Sequence, residues 1–78
     1  MRMKQFVGEA ELASLARQYR IAAGKNRAEA ARELGVARQS IIHAEDNPAK
    51  SFTKLRSRLI ETYSPYRVTG PIFRLERK

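Results

Sequence analysis

A chain of 78 residues is enough for one small domain, and a domain of that size buries too little surface to be more than marginally stable alone, so a second copy or a partner would help it. It has no cysteine, which excludes a disulfide framework, a thiolate zinc site and a cysteine nucleophile, and no apolar run approaches the roughly 18–20 residues that a membrane span needs. The net charge of +8, from sixteen Lys and Arg against eight Asp and Glu, favours a polyanionic partner such as DNA, RNA or an acidic protein face.

The first seven residues, Met1-Arg2-Met3-Lys4-Gln5-Phe6-Val7, are basic and partly alternating, and read as an N-terminal arm or a short edge strand. They lack the apolar core of a signal peptide, so the cytoplasm is the expected compartment. The core domain is expected to span residues 8–63 and to begin with a helix from Gly8 to Ala23. Leu12, Leu15, Ala16, Tyr19, Ala22 and Ala23 recur on one of its faces at helical spacing. Glu9 and Glu11 in the first turn and Arg20 in the last carry the signs that the helix dipole favours, and Gly24 ends the helix.

Residues 26–45 read as helix, tight turn, helix. Asn26 can cap the first of these helices, and Glu29 three residues on completes a capping-box pattern. Ala28, Ala30, Ala31 and Leu34 supply a small apolar face, Gly35 supplies the positive φ that stops the helix, and Val36 follows as a buried hinge residue. The next helix runs from about Ala37 to Asp46, with Ile41 and Ala44 on its inner face. Two short helices joined by a Gly-containing turn make a helix-turn-helix unit, whose second helix must carry side chains able to read base edges in a major groove. Arg38, Gln39, Ile42 and His43 occupy that outer face. Arg can bond guanine bidentately, Gln can do the same to adenine, and Ile42 either packs on a thymine methyl or is more buried than its position suggests. His43, the single histidine, has no nucleophile or second ligand spaced for catalysis or metal binding, and no cofactor is expected.

Asn47-Pro48 breaks this helix, because the residue before proline avoids the α region. Ser51 is then placed to cap a fourth helix, from Phe52 to about Tyr63, with Phe52, Leu55, Leu59 and Tyr63 as its apolar stripe and Lys54, Arg56 and Arg58 off it. Ser64-Pro65 stops that helix and opens a tail over residues 64–78. There Tyr66, Val68, Phe73 and Leu75 alternate with polar residues around a Gly-Pro interruption. Two strands that short need further support. One solution is a clasp between two chains through Val68, Ile72, Phe73 and Leu75, and the other is a hairpin folded back on its own helices. The expected fold is therefore mainly α: four helices around a helix-turn-helix, with a short C-terminal β segment.

The small alanine, the Leu-Gly-Val turn, the arginine, the isoleucine and the closing glutamate, here Ala31, Leu34-Gly35-Val36, Arg38, Ile41 and Glu45, resemble the Xre/Cro-type family of bacterial and phage repressors, whose domains are lambda-repressor-like. Glu45-Asp46-Asn47-Pro48 is similar to the corresponding loop of HipB-type antitoxins, the partners of kinase-like toxins. The likeness covers roughly residues 6–63, with Arg27, Ala37 and Ala44 departing from the usual Gln, Ser/Thr/Lys and large apolar residue. It implies that Arg27, Ser40, Lys50, Ser51 and Lys54 contact phosphates, that Glu45 belongs to the scaffold, and that the C-terminal strand pairs across a homodimer.

The charge is unevenly spread. Residues 24–49 carry four basic and four acidic residues, whereas residues 50–78 carry eight basic and two acidic. A neutral reading unit with basic flanks suits a protein that grips phosphate around a base-reading helix. The expected function is a dimeric repressor of double-stranded DNA, at work on the nucleoid, with the part of an antitoxin that represses its own operon in a toxin–antitoxin pair. A protein-binding antitoxin with weak DNA reading and a basic RNA-binding module are the alternatives. An enzyme is the least expected class, since no catalytic constellation is present.

Overall fold

Local sequence sets both ends of the second helix. The computed structural model describes residues 8–69 and 74–78, with four helices, α1 (Glu9–Ala22), α2 (Arg27–Leu34), α3 (Arg38–Asp46) and α4 (Thr53–Tyr63), followed by strands β1 (Tyr66–Thr69) and β2 (Arg74–Arg77). This is the mainly α arrangement with a C-terminal β segment that the sequence predicts. Asn26 Oδ1 accepts the Glu29 N–H at 2.8 Å while Glu29 Oε1 accepts the Asn26 N–H at 2.9 Å, so the capping box at the start of α2 is formed. At its end Gly35 takes φ 69°, and the N–H groups of Gly35 and Val36 return to Arg32 O and Ala31 O. That is the Schellman closure. Gly24, at φ 74°, closes α1 in the same way onto Ile21 O and Arg20 O.

Leu12 and Ala16 of α1, Ala30, Ala31 and Leu34 of α2, Ile41 of α3, Leu59 and Ile60 of α4 and Leu75 of β2 form one core. Some faces differ from those the spacing predicts. Ala22, Ala23 and Ala28 are exposed, while Ala13, Arg20, Arg56 and Ile60 are buried. The reason is rotational. The buried row of α1 is 12, 16, 20, and that of α4 is 56, 59, 60, so in both helices an arginine occupies an inward position. α4 also starts without Ser51: Phe52 is the capping residue, and no side chain caps the helix.

Of the two arrangements expected for the tail, the described residues form the hairpin folded back on the chain's own helices. β1 and β2 pair antiparallel with each other, Arg67 opposite Glu76 and Val68 opposite Leu75, and β1 packs against α4. The two strands gain from α4 the support that strands so short need. Leu75, read as a dimer residue, is only 5% exposed inside its own chain's core, and Val68 is half-buried against that core. A side chain as buried as Leu75 leaves almost no surface for a partner. Ile72, Phe73 and the arm at residues 1–7 lie outside the described residues. The Lys78 N–H donates to Pro65 O, which makes residues 67/76 and 69/74 the hydrogen-bonded pairs. The outward N–H groups of β1 are then met by side chains, Tyr66 by Ser64 Oγ at 3.2 Å and Val68 by Glu61 Oε2 at 3.1 Å. Leu75 and Arg77 direct their backbone groups to the other edge, that of β2. No helix among the described residues is long and apolar enough to cross a membrane.

Candidate nucleic-acid interface

α3 is fixed from inside. Ile41 and Ala44 are fully buried, and Glu45 beside them has a side chain that solvent does not reach. An isolated buried carboxylate is costly, and this one is paired. Arg20 of α1 grips it bidentately, Nε to Oε2 at 2.6 Å and Nη2 to Oε1 at 2.8 Å, and Arg27 of α2 adds Nε to Oε1 at 3.1 Å. Arg20 also donates to Lys25 O, and Arg27 reaches Asp46 Oδ1 at 2.8 Å. The Glu45 hydrogen bond raises the Arg20 pKa further, so the arginine stays charged. Three helices therefore converge on one carboxylate, and α3 cannot roll without breaking charge-assisted bonds.

A second arginine ties α3 to α4. Arg56 is fully buried; it donates to Ala44 O at 2.7 Å, Asn47 O at 2.7 Å and Lys50 O at 2.8 Å, and it pairs with Glu9, which also accepts from Thr53 Oγ1. The Arg56 guanidinium lies 5.7 Å from the centroid of the Phe52 ring. The loop from Asn47 to Lys50 is thus pinned by its carbonyls. On the other side of the unit Arg58 donates to Leu34 O at 2.6 Å, and Tyr63 donates to Glu33 Oε1 at 2.5 Å, with Lys25 on the same carboxylate. Desolvation, then the Glu33 carboxylate, push the Tyr63 phenol up to about 12, while the Lys25 and Tyr63 hydrogen bonds hold Glu33 below the ordinary carboxylate value.

The outer face of α3 carries what the interior does not use. Arg38 and Gln39 are exposed, and Ser40, Ile42 and His43 are half-buried. That partial cover accounts for a β-branched residue on the outer face: Ile42 is neither core nor free. Arg38 joins Arg20, Asn26, Arg27 and Ala28 around an open cleft of about 450 Å³ where α2 and α3 begin. Ala37 at the start of α3 offers no side-chain cap, and the Ser40 N–H returns to Ala37 O, so an anion at this helix start would meet the N–H groups of Arg38 and Gln39. Lys50, Ser51 and Lys54 are exposed, and Ser51 and Lys54 line a second open cleft, of about 360 Å³, with Phe52, Thr53 and Leu55. Of the residues read as phosphate donors, Arg27 differs from the rest, because its guanidinium is held by Glu45 and Asp46.

The sequence reading missed the roles of Arg20 and Arg56. A signal for both existed: each sits at helical spacing from core residues, Arg20 four after Ala16 and Arg56 three before Leu59. Among the described residues no group of three His, Asp or Glu is placed to hold a metal. Compared with protein-family models, curated proteins and solved structures, the chain has no match.

Proposed function

We propose that the protein is a sequence-specific DNA-binding regulator that acts as a homodimer, with α3 as its reading helix. One observation carries this reading. α3 is locked on its inner side by Glu45, Ile41 and Ala44, while its outer side keeps Arg38 and Gln39 exposed with Ile42 and His43 beside them. A rigid helix with donors and acceptors on its open face is what base readout requires. Lys50, Ser51, Lys54, Ser40 and the uncapped start of α3 then set the register on phosphates. Such a regulator works in the cytoplasm, on the nucleoid, by occluding a promoter.

The dimer we propose forms through the edge of β2. Antiparallel pairing of two β2 edges centred on Leu75 sets Arg74 of each copy opposite Glu76 of the other, so the charges match twice. It would relate two α3 helices by a two-fold axis and give half-sites about one DNA turn apart, or a multiple of it.

Selection from a random duplex library at two salt concentrations tests the reading. An enriched palindrome is the expected result. Binding without enrichment that vanishes at the higher salt would overturn it. That outcome would leave general phosphate attraction and direct the search to a protein partner such as a toxin.

A further inference from the structure

His43 is the one half-buried ring on the outer face of α3, and both of its nitrogens have neighbours. Nε2 lies 3.2 Å from the carboxamide nitrogen of Gln39, one turn back, and Nδ1 lies 2.9 Å from that of Asn47, one turn on. The ring stacks on Phe52 with planes 6° apart and centroids 6.2 Å apart, so it cannot swing away from either amide without losing that contact. A base edge therefore finds no unoccupied ring nitrogen.

The two contacts are chemically coupled. A neutral imidazole donates from one nitrogen and accepts at the other. Only one carboxamide can then give its N–H to the ring, and the other must turn its oxygen to it. A protonated ring donates from both nitrogens, so both carboxamides must turn their oxygens inward. Gln39 is exposed, and whichever group it does not give to His43 points outward. With its N–H on the ring, Gln39 shows an acceptor to a groove. With its oxygen on the ring, it shows donors. Asn47 stays beside the ring, because its backbone is pinned through its own N–H to His43 O and its carbonyl to Arg56, so whichever end it turns to Nδ1 fixes what is left for Gln39 at Nε2.

We infer that Asn47 and His43 act as positioning residues that decide which end of the Gln39 carboxamide faces outward, so that the base partner taken by Gln39 changes with the protonation of the His43 ring. This rests on the DNA reading proposed above and gives His43 a different part in it, as an orienter behind Gln39 in place of a direct base contact. Charged groups around the ring do not duplicate the effect. Asp46 on α3 is held by Arg27 of α2, Glu45 is held by Arg20 of α1, and Arg56 of α4 lies at Phe52 with its donors on carbonyls and Glu9. Lys50, in the loop before α4, is exposed.

Two measurements on the full chain test it. In the free protein, nitrogen and proton shifts of the Gln39 side-chain amide are followed from about pH 5 to about pH 8 beside the His43 ring nitrogens. The amide is expected to move with the midpoint of the ring, and Asn47→Ala, which keeps its backbone bonds, is expected to shrink the movement. A flat Gln39 amide, or one with a different midpoint, overturns the relay. Duplex selection at the same two pH values is expected to change preference at one base position in the wild type and at none in His43→Gln. An unchanged preference in the wild type, with the Gln39 amide still tracking the ring, overturns the link to base choice alone. No enrichment at either pH brings down the DNA reading and this inference with it, whatever the amide does.

Discussion

The Arg56 guanidinium donates to the carbonyls of Ala44, Asn47 and Lys50 and to the Glu9 carboxylate, and solvent does not reach it. Removing it takes a donor from one acid and three carbonyls at the junction of α1, α3 and α4; among the described residues Glu9 keeps only Thr53 Oγ1 and Asn47 O keeps only the Lys50 N–H. Arg56→Ala is expected to cost about 3–5 kcal/mol in urea unfolding, the range for breaking a buried ion pair from one side. Arg56→Lys is expected to recover little of it, because one ammonium has three donors and no planar fork. A loss below about 1 kcal/mol would mean that the carbonyls find water instead. Residues on the outer face are expected to behave differently. Arg38→Ala should leave unfolding unchanged, weaken the selected duplex by about 1–3 kcal/mol and relax one base position. Lys54→Ala should weaken all duplexes alike and lower the salt slope by about one. Equal loss by Arg38→Ala on selected and random duplexes would remove that residue from base readout.

The turn between α2 and α3 was legible in the sequence because its determinants are local: Asn26 and Glu29 are three residues apart, and Gly35 sits one residue past the helix it ends. The orientation of α3 was not, since Arg20 and Glu45 are 25 residues apart and only folding brings them together. The alternation over residues 66–76 gave strands, but a period of two does not say what lies on either face, so it left a clasp between chains and a hairpin on the chain's own helices both open, and did not single out α4. Ser51 as a cap failed for a related reason: cap preference is a tendency of residue type, and the packing of Phe52 on His43 and Arg56 decides where α4 starts. The turn itself can be tested at Gly35. A Cβ there meets nothing within 4 Å, so Gly35→Ala carries only the cost of φ 69°, about 1–2 kcal/mol, and Gly35→Asn is expected to cost less. Equal losses for the two variants would point to sterics. The α2–α4 contact has a pH signature. The Tyr63 phenol is at about 12 in the fold against an ordinary 10.0, so on raising pH the unfolded chain loses that proton first. Its contribution is complete below about pH 10 and is lost as pH rises toward 12. Lys25, raised by Glu33, loses its contribution in the same direction. Tyr63→Phe is expected to flatten the fall of stability across that window, measured by urea unfolding at stepped alkaline pH, and an unchanged slope would dismiss the phenol.

At the scale of the whole molecule, the two sheet edges are unequal. β1 has its outward N–H groups taken by Ser64 and Glu61, and β2 directs those of Leu75 and Arg77 away from β1. An edge with unpaired backbone groups is a template for another strand, and proteins cover or blunt such edges. Among the described residues nothing pairs with the outer edge of β2, and in the proposed dimer a second copy would cover it with matched charge, Arg74 against Glu76 on both sides of the two-fold axis. Because the apolar residue Leu75 is already in its own core, the contact would be mainly backbone hydrogen bonds and charge, and it should weaken with salt. Arg77→Pro isolates the edge: the lost N–H lies outside the pairing of β1 with β2, so the hairpin keeps its bonds. By sedimentation velocity the wild type is expected to be a dimer and Arg77→Pro a monomer with the same far-ultraviolet spectrum. Arg74→Glu, which sets like charges opposite each other, is expected to weaken the dimer without abolishing the monomer fold. A dimeric Arg77→Pro would move the interface elsewhere on the surface, and a monomeric wild type would remove the homodimer altogether. DNA provides the matching readout. If the β2 edge sets the symmetry of the reading helices, the wild type selects a palindrome, and Arg77→Pro selects a single half-site with the same bases and lower affinity, because each copy must then bind its half-site without the other.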